Sequence, residues 1–240
     1  MARAGRVVAD TLALLGENAR PGVTTRDLDE LAEEYIRSQG GEPTFKGYHG
    51  FPASICTSPN SMVVHGIPGD YRVDDGDLVS VDVGVTLKGF VADSAYTFAV
   101  GEIDDEAQRL LDVGQAALEA GIAQARAGHH IGDISAAVQR TTEEAGFSVV
   151  KSLVGHGIGR SMHEEPQIPN WGEPGRGPQL APGMTLAIEP MINAGGADVV
   201  IAADRWSIST ADDSLSAHFE HTVAVTEAEP RILTLAGVPV

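Results

Sequence analysis

The chain has 240 residues, with 34 acidic side chains against 16 basic ones and a formal net charge of −18. Hydrophobic residues make up 42%, which is enough to bury a core and argues against a disordered chain. The acidic net charge argues against direct nucleic-acid binding. The single cysteine, Cys56, excludes an intramolecular disulfide and favours a reducing, cytoplasmic compartment.

The first predicted element is an amphipathic helix near the N-terminus. Val8, Leu12 and Leu15 follow one another at the helical spacing of four and three residues, so they form one apolar face that packs on a core. Asp10 interrupts the apolar run, which argues against a signal peptide. No apolar run approaches the roughly 18 residues of a membrane span, so we expect no membrane partner.

The chain contains an internal sequence repeat, in which matched positions lie at a constant offset of 106 residues. Each copy predicts a helix that ends near a glycine, a turn, and a second helix that starts near an aspartate, a favoured residue at helix starts. The matched positions are 19–22 with 125–128, Asp27 with Asp133, and Gly40 with Gly146. We interpret this repeat as a duplication, with halves of about 1–105 and 106–240. The two halves are predicted to form a single catalytic domain spanning 1–240.

Strand-like runs follow each predicted helix pair. They are β-branched or alternating, and glycine, proline or aspartate bounds them. The runs are 54–65, 78–85 and 90–100 in the first half, and 148–154, 185–192 and 217–225 in the second. Helices followed by strands, twice over, predict an α+β fold of two related halves, with any site between them drawing residues from both.

Two aspartates stand out in the strands of the first half. Asp82 alternates with valines, so it lies on the strand face opposite to them, and Asp93 lies on the next strand. A two-residue loop of Leu87 and Lys88 would place the two carboxylates directly opposite each other, about 5 Å apart. Because like charges so placed destabilise a hairpin, we expect either a shared proton or a bound cation to compensate them.

The second half adds one imidazole and two further carboxylates. His156 lies among glycines, and Glu189 and Glu220 each lie within an apolar strand-like run. Together with Asp82 and Asp93 they could bind two divalent ions about 3.5–4 Å apart through bridging carboxylates. Oxygen-rich ligation without thiolate suits Mn, Fe(II), Co or Mg better than a structural zinc site. Isolated ion pairs and a metal-free carboxylate hydrolase remain the alternatives.

At these residues the chain resembles the methionine aminopeptidase family of the pita-bread fold. The resemblance runs in order along almost the whole chain. It is carried by the segments Gly47–Pro52, His65–Pro68, Val81–Val83, Ala92–Ser94, Gly155–Gly159, His163–Pro166, Ile188–Met191 and Ser214–Thr222. It implies two pseudo-symmetric helix–strand halves around a central antiparallel sheet.

The resemblance also implies the site residues. The metal ligands of the family fall on Asp82, Asp93, His156, Glu189 and Glu220, with Asp93 and Glu220 as the bridging pair. Its two substrate-contacting histidines fall on His65 and His163. Its methionine pocket is similar to Tyr48, Phe51, Cys56 and Trp206, with Phe45 and Met162 at the rim. His65, His163 and Glu189 would be the catalytic residues. The implied cofactors are two divalent ions (Co, Mn, Fe(II), Zn or Mg), and in some members a monovalent cation, which would fall on Asn60, Met62 and Ser216.

The activity implied by the resemblance is removal of the initiator methionine from nascent proteins whose second residue is small. The partners would then be nascent polypeptide N-termini and the ribosome, with no direct nucleic-acid or membrane partner, and we expect a monomer. The chain begins at the first predicted helix and lacks a long insertion before Glu220, as in the short bacterial type I form. The alternatives are a related aminopeptidase of other specificity and a non-catalytic binding protein on the same fold.

Overall fold

A computed structural model of the chain describes residues 1–235, so the last five residues of the predicted single domain, 236–240, lie outside the described residues. The helices are α1 (Ala2–Asn18), α2 (Thr25–Ser38), α3 (Asp105–Gln124) and α4 (Ile131–Glu144), and a 3₁₀ turn covers Tyr48–Gly50. The strands are β1 (Glu42–Pro43), β2 (Cys56–Pro59), β3 (Met62–Val64), β4 (Leu78–Leu87), β5 (Phe90–Ala99), β6 (Ser148–Val149), β7 (Val154–Gly157), β8 (Glu164–Pro169), β9 (Thr185–Ile188), β10 (Met191–Asn193), β11 (Val199–Ile201), β12 (Ile208–Thr210), β13 (Ser216–His218), β14 (His221–Ala224) and β15 (Arg231–Ile232).

In each helix pair, the second helix starts in the same way and follows a turn of the same conformation. The backbone N–H of Thr24 donates to Asp27 before α2, and that of His130 donates to Asp133 before α4, so each aspartate satisfies an N–H at a helix start. Gly22 and Gly128, at matched turn positions, have φ of 90° and 88°, values that L side chains rarely adopt. A common origin of the two halves stays a prediction.

Each half has its own apolar core. The predicted face of α1 is confirmed, because Val8, Leu12 and Leu15 are buried against the alternate valines of β4. In the second half, α3 packs on β9, β10 and β13, and α4 packs on α3, β6 and β8, through a larger cluster that includes Phe219. None of the helices within residues 1–235 combines the length and hydropathy that crossing a membrane requires.

The strands form four small sheets, and every strand pairing within the described residues is antiparallel. Backbone hydrogen bonding joins the halves where β5 passes the segment between β13 and β14. There the N–H of Glu220 donates to the carbonyl of Ala95 at 2.9 Å. This junction lies beside both predicted bridging carboxylates.

The predicted register of the β4–β5 hairpin is wrong by two residues. Leu87 pairs with Phe90, so the loop is Lys88 and Gly89, and Asp93 lies opposite Gly84 rather than Asp82. Lys88 and Gly89 both have positive φ, 52° and 74°, as a tight two-residue hairpin turn requires. A shift of two keeps side chains on their original faces, so Asp82 and Asp93 still share one face as diagonal neighbours.

Four predicted strands are interrupted. The run 54–65 divides into β2 and β3, and 148–154 divides into β6 and the start of β7. The runs 185–192 and 217–225 break at Glu189–Pro190 and Phe219–Glu220, so both glutamates lie between strands rather than within them. Pro190 has no N–H to contribute to a ladder, which accounts for the first break.

Candidate metal centre and substrate cavity

A cavity of about 240 Å³ lies where the two halves meet. All the residues predicted for the divalent-metal, substrate and catalytic positions line it, as do both predicted rim residues: Phe45, Tyr48, Phe51, Cys56, His65, Asp82, Asp93, His156, Met162, His163, Glu189, Trp206 and Glu220. Their roles stay predictions, but the fold brings residues from both halves of the chain to one cavity.

Hydrogen bonds across the junction hold Asp93 near Glu220. The hydroxyl of Thr222 donates to the carbonyl of Asp93 at 2.7 Å and accepts from the N–H of Asp93 at 2.9 Å. The hydroxyl of Ser94 donates to the carbonyl of Glu220 at 2.5 Å. One ligand atom each from Asp93, His156 and Glu220 lie within 4.8 Å of one another, a spacing that could hold a metal ion.

The carboxylates of the cavity carry oxygens without protein partners. Asp82 Oδ1, Asp93 Oδ1 and Glu220 Oε1 are buried and make no hydrogen bond. An unpaired buried charge is costly, so such oxygens call for a cation or a proton. Among the described residues that line the cavity there is no lysine or arginine to supply the positive charge.

Burial disfavours the charged form of all four carboxyls, and repulsion from neighbouring acids adds to it at three of them. Burial raises the pKa of Asp82 to about 7. Burial, and then the neighbouring acids, raise the pKa of Asp93, Glu189 and Glu220 well above their usual values. Four acids whose ionisation is opposed in the metal-free protein are the donor set expected for divalent ions, since bound cations reverse that balance.

His156 is oriented as a ligand. Its Nδ1 lies 2.9 Å from the carbonyl of Gly157, so Nδ1 carries the hydrogen and donates, which leaves a lone pair on Nε2. Burial and the neighbouring His163 lower the pKa of His156 to about 4, so the ring is neutral near pH 7. A neutral imidazole with a free Nε2 completes a set that fits divalent ions.

The two other predicted histidines lie at the mouth of the cavity. The hydroxyl of Tyr48 lies 2.8 Å from Nδ1 of His163. Burial, and then His49, lower the pKa of His163; burial, and then His163, lower the pKa of His65. A neutral imidazole can donate a hydrogen bond to a substrate without placing a positive charge beside bound metal ions.

The remaining wall of the cavity is apolar and aromatic. The rings of Phe51 and Trp206 meet edge to face with centroids 5.1 Å apart, and Phe45 meets Phe51 at 6.5 Å. Cys56 and Met162 belong to the same buried cluster. This wall suits an unbranched apolar side chain, and its aromatic rings suit a thioether.

Two carboxylates of α2 anchor the loop that carries this wall. Asp29 accepts the N–H groups of Ser54 and Ile55 at 2.8 and 3.0 Å. Glu33 accepts from Lys46 at 2.6 Å and from the hydroxyl of Ser54 at 3.0 Å. Both ends of the loop are therefore tied to one helix.

The sequence interpretation missed further cavity residues, namely His49, Val64, Leu153, Val154 and Met191. Each stands within two or three residues of a predicted ligand, histidine or aromatic residue, and that adjacency was the available signal. At the expected monovalent-cation position, the N–H of Ser216 donates to the carbonyl of Asn60 at 2.9 Å, so these two residues are adjacent.

The comparisons with known proteins agree with this geometry. The model of metallopeptidase family M24 matches residues 1–227. The chain is 51% identical to a methionine aminopeptidase of Clostridium perfringens, over 98% of this chain and 94% of that protein. The crystal structure of methionine aminopeptidase from Rickettsia prowazekii matches with a TM-score of 0.97 at 42% identity, over 98% and 95% of the two chains.

A more distant match concerns the fold alone. The prolidase from Pyrococcus furiosus is 21% identical and has a TM-score of 0.78, over 99% of this chain and 63% of the prolidase. Together with the closer matches it confirms the predicted α+β pita-bread fold.

Proposed function

The chain belongs to metallopeptidase family M24, and from this membership we propose that it is a methionine aminopeptidase that removes the initiator methionine from nascent proteins. The 51% identity with a methionine aminopeptidase over nearly the full length of both chains is the observation that carries the proposal. The aromatic wall around Phe51 and Trp206 supports a methionine side chain as the recognised group.

The proposed metal ligands are Asp82, Asp93, His156, Glu189 and Glu220, holding two divalent ions. When bound, such ions supply a Lewis acid for the scissile carbonyl and an activated water at neutral pH. The unpartnered buried oxygens and the free Nε2 of His156 support this assignment. The proposed divalent ions are Mn, Fe(II), Co, Zn or Mg, and the proposal includes a monovalent cation at Asn60, Met62 and Ser216.

The chain's own groups would then perform the proton transfers. Glu189 would accept the proton of the attacking water and pass it to the leaving amine. With the Tyr48 hydroxyl donating to its Nδ1, His163 would carry its hydrogen on Nε2 and would donate to the carbonyl oxygen as negative charge develops. His65 would hold the scissile amide.

The proposed metal centre at the floor of the cavity explains why the enzyme would act only at chain ends. A free N-terminal amine carries a lone pair that could coordinate an ion held by these carboxylates, and an acylated nitrogen does not. The proposal includes action on nascent chains near the ribosome in the cytoplasm, as a monomer.

The two alternatives are a family member of other specificity and a non-catalytic protein on this fold. The prolidase match is far weaker than the methionine aminopeptidase match, which argues against the first. All five ligand positions hold ligand-type residues that line one cavity, which argues against the second.

The test is hydrolysis of Met-Ala-Ser by metal-stripped protein, before and after addition of Mn, Fe(II), Co, Zn or Mg. We expect metal-restored release of free methionine and no cleavage of the N-acetylated peptide. Uptake of two ions without hydrolysis would support a binding protein. Restored cleavage of other N-terminal residues in preference to methionine would support a different specificity.

A further inference from the structure

The carboxylate of Glu189 faces two imidazoles. Its Oε1 lies 3.5 Å from Nε2 of His156, and its Oε2 lies 3.9 Å from Nε2 of His218. His218 is the last residue of β13 and is buried, and it is not among the described residues that line the cavity. Its ring therefore approaches Glu189 from within the protein rather than from the substrate side.

The Nε2 atom of His218 is buried and has no hydrogen-bond partner. Leaving such an atom unpaired costs about 1–3 kcal/mol, so an apolar side chain of similar size would be favoured if packing alone decided this position. The separation of 3.9 Å from Oε2 is longer than a hydrogen bond, and a small rotation of the Glu189 carboxylate would close it.

The backbone holds the two residues side by side. Met191, two residues after Glu189, pairs with His218 across β10 and β13. The N–H of His218 donates to the hydroxyl oxygen of Thr97 at 2.9 Å, and that hydroxyl donates to the carbonyl of His218 at 2.9 Å. The adjacent N–H of Phe219 donates to the carbonyl of Pro190 at 3.2 Å. These bonds fix where the imidazole and the carboxylate can go.

Only one of the two imidazoles can donate to Glu189. The Nδ1 of His156 already donates to the carbonyl of Gly157, so Nε2 of that ring carries a lone pair. That lone pair is the proposed metal-binding electron pair, and it cannot hydrogen-bond a carboxylate oxygen. A hydrogen on Nε2 of His218 would meet Oε2, the oxygen that does not face His156.

We infer that His218 is a positioning residue that donates its Nε2–H to Oε2 of Glu189 and so holds the other carboxylate oxygen toward His156 and the metal centre. This inference rests on the proposed function, in which Glu189 is both a ligand and the proton acceptor. Fixing a ligand by a partner behind it strengthens metal binding, and loss of such a partner weakens metal affinity or activity about 10- to 100-fold.

Two variants test the inference. His218→Leu removes the donor and keeps an apolar side chain of comparable bulk. His218→Gln keeps an amide N–H at about the reach of Nε2. The readouts are the Kd for Mn(II) by titration calorimetry, the melting temperature of the metal-free proteins, and kcat and KM for Met-Ala-Ser.

We expect His218→Leu to bind Mn(II) about tenfold or more weakly and to lose kcat with little change in KM. His218→Gln should restore most of the affinity. The metal-free Leu variant should melt no lower than the wild type, because at 3.9 Å the Nε2 of His218 makes no hydrogen bond and an apolar replacement removes its desolvation cost.

Equal Mn(II) affinity in the wild type and the Leu variant would overturn the inference, as would equal weakening in the Leu and Gln variants together with lower melting temperatures. A wild-type protein that binds no divalent ion would instead contradict the proposed function. The metal titration of the wild type therefore separates the two failures.

Discussion

The phenol oxygen of Tyr48 lies 2.8 Å from Nδ1 of His163, although 115 residues separate them in the chain. Tyr48 resembles a methionine-pocket residue by sequence, yet its hydroxyl contacts a proposed catalytic imidazole. With the phenol as donor, the tautomer of His163 is fixed and Nε2–H is available to substrate.

We predict that Tyr48→Phe lowers kcat for Met-Ala-Ser about five- to tenfold, because one net hydrogen bond of about 1 kcal/mol no longer orients His163. The ring remains, so KM should change little. Steady-state kinetics at saturating metal test this. A raised KM with unchanged kcat would mean that Tyr48 acts through the methionine pocket alone.

His163 itself should matter for chemistry and not for metal content. His163→Ala should lower kcat about 10²- to 10³-fold, as removal of a donor to a developing oxyanion does, while retaining its metals. Elemental analysis of the same preparations supplies the second readout. Loss of bound metal in parallel with activity would identify His163 as a ligand or a structural residue.

Asp93→Asn should have opposite effects on the metal-free and metal-loaded proteins. It removes one of four crowded buried carboxyls, so the metal-free protein should melt a few degrees higher, at about 2–4 °C per kcal/mol for a chain of this size. Metal affinity should fall because a proposed bridging ligand is lost. Calorimetry with and without chelator measures both effects.

Asp70, whose side chain is 93% exposed, provides the control for this prediction. Asp70→Asn should change neither the melting temperature of the metal-free protein nor the metal affinity.

Glu33 should contribute stability in a defined pH range. Hydrogen bonding to Lys46 first, and then to Arg37 and Ser54, lowers the pKa of Glu33 to about 2. Because the folded-state pKa is below the unfolded value near 4.5, the contribution of Glu33 to stability is complete above pH 4.5 and is lost as the pH falls toward 2.

We expect Glu33→Gln to lower the free energy of unfolding by about 1 kcal/mol at pH 7, with screening of this partly exposed group taken into account. Urea unfolding should show a smaller difference in unfolding free energy between wild type and variant at pH 3 than at pH 7, and an equal difference at both would refute the assignment.

Gly84 should control the shape of the methionine pocket. A Cβ at this position would lie 2.6 Å from the Phe45 ring, so Gly84→Ala must displace that ring. We predict a KM for Met-Ala-Ser raised about tenfold, since even small changes in an apolar pocket cost 1–3 kcal/mol. Gly69→Ala, where the only nearby atom is 3.9 Å from the new Cβ, is the matched control and should leave KM unchanged.

Much of this molecule could be predicted from local patterns. The apolar spacing in α1 predicts its buried face directly. The alternation of valines with Asp82 in β4 predicts that Asp82 lies on the face opposite to the buried valines. The resemblance to a known family, carried by short motifs around each predicted ligand, pointed to the other residues that line the cavity.

The register of the β4–β5 hairpin and the ends of the strands were harder to predict from the sequence. The segment Leu87–Gly89 allows more than one two-residue turn, and the backbone at Lys88 and Gly89 decided between them only once β5 paired along its length. The break before Glu220 has no proline to announce it. It arises because the N–H of Glu220 bonds to Ala95 in the other half of the chain.

Contacts between distant segments left no sequence trace. Neither the Tyr48–His163 hydrogen bond nor the approach of His218 to Glu189 follows from spacing, since both depend on how separate sheets pack. The tie between Glu33 and the loop at Lys46 and Ser54 is of the same kind.

The hydrogen bonds between Asp93 and Thr222 join residues 129 positions apart. Contacts of such long sequence separation close late in folding, because the loop entropy must first be overcome. During synthesis, the segment that carries Thr222 leaves the ribosome 129 residues after Asp93. The proposed metal site could therefore reach full affinity only after both segments have been made, so metal loading would show that the two halves have joined.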